Sequence, residues 1–468
     1  MSLIDEQLAR LAREHADRNE KREAERAATN PAPVEVAGVI AIAPTRVREL
    51  SAHNGTMAQA RTAFLAFDFE NGLVASFLEF LLASAVRLRA SDIHIEPQEN
   101  AIAVRLRVDG VMAELGIMPL SYYHLFSSRL KLLARMKLNA DRPQDGRFSV
   151  RFSETQVEVR VSSVPSQYGE TVVLRVLDPH ALQTDIGSLG LREDDFAIVM
   201  RELSVPNGMI LNTGPTGSGK TTTLYSFLKK VARAGVKVIT IEDPIEYALA
   251  GIEQTQVSED KGYGFATGLR AIVRQDPDII LVGEIRDKET AEIAVQAALT
   301  GHQVFSTVHA NNATLAIPRL VDMEVAKESI GPAVNLIIAQ RLVRRLCEQC
   351  KKSAPIPTEL ALKIKKYLDV LPSRVAREGL LVEELCEPVG CVACDATGYR
   401  GRIAIFELLP VNAELEQKIK EGLGSADLDQ FARMRGMVTM QQDGIIKALH
   451  GITTIAEIET ATGPIAFE

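Results

Sequence analysis

A glycine-rich run near the middle of the chain has residues of the types and spacing that bind a nucleoside triphosphate. Gly214, Gly219, Lys220 and Thr221 fit the pattern G-x-x-x-x-G-K-[ST]. Glycines let successive backbone N–H groups converge on a phosphate, and the following helix adds the positive end of its dipole. Lys220 is expected to reach the β- and γ-phosphates, and the Thr221 hydroxyl to ligate Mg²⁺. The predicted ATP-binding residues are Gly214, Pro215, Thr216, Gly217, Ser218, Gly219, Lys220, Thr221 and Thr222.

The segments on either side of this run supply the structure that the motif needs. The apolar run Gly208–Leu211 predicts an entering strand, and the pattern over Thr222–Val231 predicts an exiting helix. The alternative is a chance glycine turn between a strand and a helix. Because strand, loop and helix occur in the required order, the sequence favours a phosphate-binding loop.

Three apolar runs downstream of the loop each end in a polar side chain. The first is followed by Glu242, the second by Glu284 and the third by His309. Acids after a strand often cap the next helix, and a single histidine is more often an ordinary hydrogen-bonded residue. However, the carboxyl ends of parallel strands open onto the ligand crevice of an α/β sheet. Three such ends in a row therefore favour catalysis.

Four of the five cysteines occur as two C-x-x-C pairs. Cys347 and Cys350 form one pair, and Cys391 and Cys394 form the other, 40 residues further on. Four thiolates suit the tetrahedral coordination of a structural Zn²⁺. A redox role is the alternative, which the paired spacing disfavours. Cys386 is left over and is expected to be a plain thiol.

Composition limits the class of protein. The net charge of −8, the absence of Trp and the 5% aromatic content argue against a nucleic-acid motor, which usually has a basic surface. No apolar run approaches the roughly 20 residues that span a bilayer, and the first residues lack the pattern of a signal peptide. We therefore expect a cytoplasmic protein that is at most peripherally attached to a membrane.

The order of apolar patterns predicts several domains in 468 residues. The predicted fold class is an α/β P-loop domain, preceded by an α+β domain and followed by a zinc-binding lobe and a helical C-terminal region. The predicted boundaries are 1–68 for a variable segment that serves as a docking arm, 69–180, 190–345, 346–402 and 403–468.

Arginines recur on the predicted strands of the second segment. Strand arginines usually face solvent or pair with an acid. As a set beside a nucleotide domain, they would instead supply a finger that stabilises phosphate charge in a neighbouring subunit. The residues concerned are Arg105, Arg107, Arg147, Arg160 and Arg175.

From about Phe69 onward, the chain resembles the secretion superfamily ATPases of type II secretion and type IV pilus assembly, the general secretory pathway protein E-like group. Several motifs in one order carry this resemblance. They are Ser91–Pro97, Gly214–Thr221, Thr240–Glu246, Gly268–Asp278, Val282–Asp287, Gly301–His309, the paired cysteines and Gly398–Arg402.

The resemblance implies a role for each polar strand end. Glu242 would orient or deprotonate the attacking water. Glu284 would be the Walker B carboxylate and, with Thr221, would lie near Mg²⁺. His309, and with it His302, would sense the γ-phosphate. Phosphoryl transfer agrees with these roles, because it needs positioning and charge neutralisation more than covalent chemistry.

The resemblance also implies that the P-loop ATPase domain is RecA-like, that the α+β domain is PAS-like and that the chain assembles. Arg105 and Arg107 would approach the nucleotide from a neighbouring N-terminal domain in a homo-hexamer. The ring would act on an inner-membrane platform protein and bind a cytoplasmic recruiter at the bacterial inner membrane, without nucleic acid. The four-cysteine lobe resembles assembly enzymes and not retraction enzymes.

Two departures from the family pattern stand out. Ala310–Ala313 replaces the more usual Thr-Asn-Asp-Ala, and only about 68 residues precede the resemblance. We therefore expect the usual membrane-recruitment contact and any regulatory nucleotide site to be absent or altered. The alternatives left open are a RecA-like nucleic-acid translocase, a conjugative-transfer ATPase and a nucleotide switch with slow turnover.

Overall fold

The computed structural model describes residues 38–43, 45–47, 49, 55–139, 141–152, 155–177, 184–377, 380 and 382–465. Of the segment 1–68 predicted as a docking arm, residues 1–37 lie outside these residues. Within them, two seven-stranded sheets and one two-stranded sheet organise the chain. No helix in the described ranges is both long and apolar enough to cross a membrane.

The first large sheet belongs to the N-terminal domain and has the order β1-β5-β6-β7-β2-β3-β4. Strand β1 is parallel to β5, and the other neighbours pair antiparallel. Its strands are β1 (Val39–Ile42), β2 (Ala90–Pro97), β3 (Ile102–Val108), β4 (Val111–Met118), β5 (Gln144–Phe152), β6 (Thr155–Ser166) and β7 (Gly169–Leu177). The helices are α1 (Met57–Leu65), α2 (Val74–Arg87) and α3 (Leu120–Leu133). The α+β class is as predicted, and the finer PAS-like assignment stays a prediction.

The core of this domain begins upstream of the boundary predicted at residue 69. Ile42 on β1 and Phe64 on α1 are buried in the same apolar cluster as Phe77 on α2. The rings of Phe64 and Phe77 meet edge to face with centroids 5.5 Å apart. The boundary was placed too late, because elements as short as β1 and α1 join a core only through tertiary packing.

The second large sheet carries the glycine-rich run and has the order β10-β9-β11-β12-β8-β13-β16. All its neighbours are parallel except β13 and β16. Its strands are β8 (Gly208–Thr213), β9 (Val238–Glu242), β10 (Glu253–Gln256), β11 (Ile279–Val282), β12 (Gln303–Val308), β13 (Val334–Leu346) and β16 (Tyr399–Pro410). Helices α4 (Glu193–Leu203) and α5 (Lys220–Val231) pack on one face, and α6 (Phe265–Val273) and α7 (Lys288–Leu299) on the other. This is the predicted α/β nucleotide domain.

The C-terminal part differs from the prediction in one respect. Strand β16 is part of the nucleotide sheet, so the region from residue 403 onward is not wholly helical. Helices α8 (Ala316–Asp322) and α9 (Lys327–Ala333) precede β13 in the nucleotide domain. The C-terminal part also contains β14 (Lys352–Pro355), β15 (Glu384–Glu387) and the helices α10 (Thr358–Asp369), α11 (Ala413–Glu421), α12 (Ser425–Met434), α13 (Met440–Leu449) and α14 (Ile455–Thr462). Strand β13 ends at Leu346, directly before the first cysteine of the predicted metal site.

Candidate nucleotide site and metal cluster

The glycine-rich loop joins a buried strand to a helix, as the motif requires. Strand β8 is buried along its whole length and ends at Thr213, and helix α5 begins at Lys220. Gly219 precedes the helix with φ +90°, a left-handed conformation that favours glycine. The Lys220 ammonium donates to the main-chain oxygens of Gly214 at 2.8 Å and Pro215 at 3.0 Å. Burial lowers the pKa of Lys220, and the charge of Glu284 opposes that shift.

A cavity of about 740 Å³, here called the nucleotide cavity, opens beside this loop. Six of the nine predicted loop residues line it: Thr216, Gly217, Gly219, Lys220, Thr221 and Thr222. Gly214 and Pro215 line a neighbouring cavity of about 330 Å³ instead, and the Ser218 side chain is buried. The loop therefore presents its helix-proximal half to the nucleotide cavity.

Glu284 and His309 lie together at the wall of the nucleotide cavity. One Glu284 oxygen is 3.5 Å from His309 Nε2 and 2.6 Å from Arg286 Nε. Glu284 and His309 follow the neighbouring parallel strands β11 and β12, so the sheet brings the two side chains to one edge. The two side chains can lie beside the metal ion and the terminal phosphate of a bound nucleotide.

Glu242 also lines the cavity, but its two oxygens already accept hydrogen bonds. Tyr225 Oη donates to Oε2, while Thr240 Oγ1 and Gln254 Nε2 donate to Oε1 at 2.6 and 3.2 Å. Burial, together with the charge of Glu242, raises the pKa of Tyr225, so the phenol remains a donor. Glu242 is therefore held in one orientation beside the cavity, where it can orient a water.

The N-terminal domain of the same chain forms the opposite wall. Arg107 lines the cavity, as do Asp92 and Arg175. Asp92 accepts from Arg175 Nε at 3.1 Å and lies 3.6 Å from Arg107 Nε. The second predicted arginine, Arg105, pairs with Glu96 and does not line the cavity.

The four paired cysteines form one cluster beyond the end of β13. Their sulfur atoms all lie within 4.8 Å of one another. The Cys347–Cys391 sulfurs are 3.9 Å apart, and those of Cys350–Cys394 and Cys391–Cys394 are 3.7 Å apart. Four Zn–S bonds of about 2.3 Å in a tetrahedron separate the sulfurs by about 3.8 Å. The cluster therefore fits a tetrahedral metal ion.

Backbone donors support thiolates in this cluster. The N–H groups of Cys391 and Gly398 point at the Cys394 sulfur from 3.2 and 3.3 Å. Burial raises the pKa of the Cys394 thiol, but these donors and the neighbouring cysteines lower it to about 7 overall. Cys394 thus suits a cation that binds sulfur in its deprotonated form, whereas burial and the neighbouring cysteines raise the pKa of the Cys350 thiol to about 12.

Comparison with known proteins assigns the chain to a family. The family model of the Type II/IV secretion system protein matches residues 68–460. The chain belongs to this family. The type IV pilus assembly ATPase PilB of Myxococcus xanthus is 42% identical over 396 residues, which are 84% of this chain and 69% of that protein. The type II secretion system protein E of Xanthomonas campestris is 44% identical over 391 residues, which are 83% of this chain and 67% of that one. About a third of each relative lies outside the match.

Solved structures agree with this family assignment. The pilus retraction motor PilT with bound ADP has a TM-score of 0.56 and 28% identity, and the match covers 81% of this chain and 95% of that one. The ATPase DotB of Legionella pneumophila has a TM-score of 0.59 at 21% identity over 82% and 94% of the two chains, which supports the fold alone.

The structure of this secretion-family member does not support one of the predicted nucleotide sensors. His302 precedes β12, whereas His309 follows it, so the two side chains lie at opposite ends of the strand. His302 Nδ1 lies 3.0 Å from the main-chain oxygen of Ala297, and the side chain does not line the nucleotide cavity. The prediction for His302 was wrong because a strand of six residues separates its ends by roughly 20 Å.

Several residues that line the cavity were given no role by sequence reasoning, among them Asp92, Tyr225 and Arg402. Asp92 lies in the motif Ser91–Pro97, Tyr225 in the predicted helix after the loop, and Arg402 in the glycine-rich turn that follows the last cysteine pair. Arg402 reaches the cavity because β16 pairs with β13 beside the phosphate-binding strand. Its place in that motif was the one signal in the sequence, and long-range strand pairing decides its location.

Proposed function

We propose that this member of the secretion family is an ATP-hydrolysing motor that powers assembly of a type II secretion pseudopilus or a type IV pilus. One observation carries the proposal: six loop residues between Thr216 and Thr222 line a single cavity together with Glu284 and His309. Family membership and the ATPase relatives support ATP hydrolysis coupled to secretion or pilus assembly.

Each of the cavity residues would have a separate role in phosphoryl transfer. Backbone N–H groups of the loop and Lys220 bind the phosphates, and Thr221 and Glu284 would hold Mg²⁺, which neutralises phosphate charge when bound. Glu242 orients the attacking water, and His309 contacts the terminal phosphate. Arg107 supplies positive charge from the N-terminal domain.

The cysteine cluster has a structural part in this proposal. Cys347, Cys350, Cys391 and Cys394 would hold one Zn²⁺, which contributes stability to the C-terminal lobe. Predictions that go with the motor are a homo-hexamer, a platform protein and a recruiter as partners, and a cytoplasmic location at the bacterial inner membrane.

The first test is ATP turnover by the purified full chain. Lys220→Ala should reduce turnover at least about 100-fold, because the phosphates lose their positive partner. Lys230→Ala, an exposed change at the far end of the same helix, should keep the wild-type rate. Glu284→Gln should still bind a fluorescent ATP analogue while hydrolysing ATP poorly. Unchanged turnover in Lys220→Ala would overturn the proposal.

The choice between the two machines needs the host cell. A deletion strain complemented by wild type or by Glu284→Gln can be scored for surface pili and for secreted enzyme. Loss of pili alone assigns the motor to a pilus, and loss of secretion alone assigns it to type II secretion. Loss of DNA transfer with both other phenotypes intact would favour the conjugative alternative.

A further inference from the structure

Two buried amide side chains lie beneath the phosphate-binding loop. Asn212 on strand β8 is 0% exposed, and Gln340 on the neighbouring strand β13 is 1% exposed. Asn212 Nδ2 donates to Gln340 Oε1 at 2.7 Å, and Gln340 Nε2 donates to the main-chain oxygen of Ser218 at 2.6 Å. The hydrogen bonds therefore run from the strand through both amides to the loop itself.

Burying amides at these two positions costs stability, so we expect them to have a function that an apolar side chain could not perform. A buried amide needs hydrogen bonds to offset its desolvation, and Asn212 Oδ1 has no hydrogen-bond partner among the described residues. An apolar residue of similar size would fill the space without that demand. Other residues of the same strand, Leu336 and Ile338, are buried and apolar. Gln340 lies next to the loop, where its amide can orient a loop peptide.

The amide of Gln340 fixes the direction of one loop peptide. A trans peptide points its C=O and the following N–H to opposite sides. Because the Ser218 carbonyl is held toward Gln340, the Gly219 N–H is turned away from the strand, and Gly219 lines the nucleotide cavity. A Cβ on Gly219 would lie 3.0 Å from Gln340 Nε2, and one on Gly214 would lie 2.5 Å from the Gln340 main-chain oxygen. Gln340 is thus packed tightly under both ends of the loop.

We propose that Gln340 is a positioning residue for nucleotide binding. Its amide aims the Gly219 N–H into the nucleotide cavity, and Asn212 sets which end of that amide faces the loop. The inference rests on the nucleotide site proposed above. Gln340 acts only through the loop and does not itself touch the nucleotide.

This role predicts a particular kinetic signature. An N–H that binds a phosphate in the ground state and in the transition state alike contributes uniform binding, whose loss raises KM and leaves kcat unchanged. Gln340→Met keeps an unbranched side chain of similar length but removes both hydrogen bonds. We expect KM for ATP and Kd for ADP to rise roughly 5- to 10-fold, the equivalent of about one hydrogen bond, with kcat within about 2-fold of wild type.

Gln303 provides a matched control elsewhere in the same sheet. It is 4% exposed at the start of β12, at the opposite end from His309, and its Nε2 donates to the main-chain oxygens of Glu202 at 3.2 Å and Val205 at 3.0 Å. Gln303→Met removes equivalent amide-to-backbone bonds far from the loop. Both variants should lower the Tm by similar amounts, but only Gln340→Met should weaken ADP binding.

The experiment measures Tm, ADP affinity by titration calorimetry and steady-state ATP turnover for the full-length proteins. Unchanged KM and Kd in Gln340→Met, beside a Tm loss like that of Gln303→Met, would overturn the positioning role and leave a structural one. If Gln340→Met does not fold, Asn212→Ala removes the donor that orients the amide, and wild-type ADP affinity in that variant would overturn the role in the same way. A wild-type chain that binds no ADP would instead refute the proposed nucleotide site.

Discussion

At the residue scale, the hydrogen bonds around Glu242 assign a task to Tyr225. Burial keeps the phenol protonated and donating to Glu242, which fixes the carboxylate at the cavity wall. Tyr225→Phe preserves the ring and removes the donor. We expect kcat to fall on the order of 10-fold with little change in KM, because the fixed charge matters most as the transition state forms. Steady-state ATP turnover checks this. A fall confined to Tm, with kcat intact, would make the contact structural only.

The sequence predicted the location of single residues beside the loop wherever a strand end determined it, and their chemical roles stay predictions. Glu242, Glu284 and His309 were all placed beside the loop because parallel strands share one carboxyl edge. Tyr225 was missed because its side chain reaches Glu242 from within a helix, and no spacing rule links a helix position to a strand. His302 was misassigned because its residue type suits a phosphate sensor but it lies at the amino end of β12, away from the loop.

At the element scale, strand β13 connects the phosphate-binding loop to the metal cluster. It pairs with β8 along the loop strand and continues to Leu346, next to Cys347. The pairing of β13 with β16 could not be predicted, because the lobe with the cysteine cluster is inserted between the two strands and nothing local indicates that they meet. The C-x-x-C spacing, in contrast, was enough to predict the cluster.

The cluster should hold about one zinc per chain and support the lobe that follows β13. Cys391→Ser removes a ligand whose sulfur lies within 4 Å of two others. We expect loss of zinc by elemental analysis and a Tm lower by several degrees, because structural zinc contributes directly to folding free energy. Cys386→Ser, a cysteine outside the cluster, is the control and should retain the metal. Full stability in a metal-free Cys391→Ser protein would show that the cysteines pack as ordinary side chains and that metal does not stabilise the lobe.

At the scale of the whole molecule, the two large domains contact each other within one chain. Asp109 accepts the Gly401 N–H at 2.7 Å, and Arg160 donates to the Ile245 oxygen at 2.9 Å. These contacts hold the hairpin that carries Arg107 over the nucleotide cavity of its own chain. The resemblance had implied that the arginine approaches from a neighbouring subunit. A sequence shows that a basic residue is present, but domain packing decides which cavity it faces.

Mixing two inactive variants distinguishes these arrangements. Lys220→Ala subunits cannot use their own loop, and Arg107→Ala subunits lack the arginine. If Arg107 acts within its chain, every mixed ring contains only defective sites, and co-assembly at equal amounts gives no more ATP turnover than the separate variants. If it acts across the interface, an Arg107→Ala site beside a Lys220→Ala neighbour regains its arginine, and turnover rises toward about a quarter of the wild-type rate by random pairing. The geometry predicts no rescue, and a clear rise would show that the ring moves Arg107 to the neighbouring site.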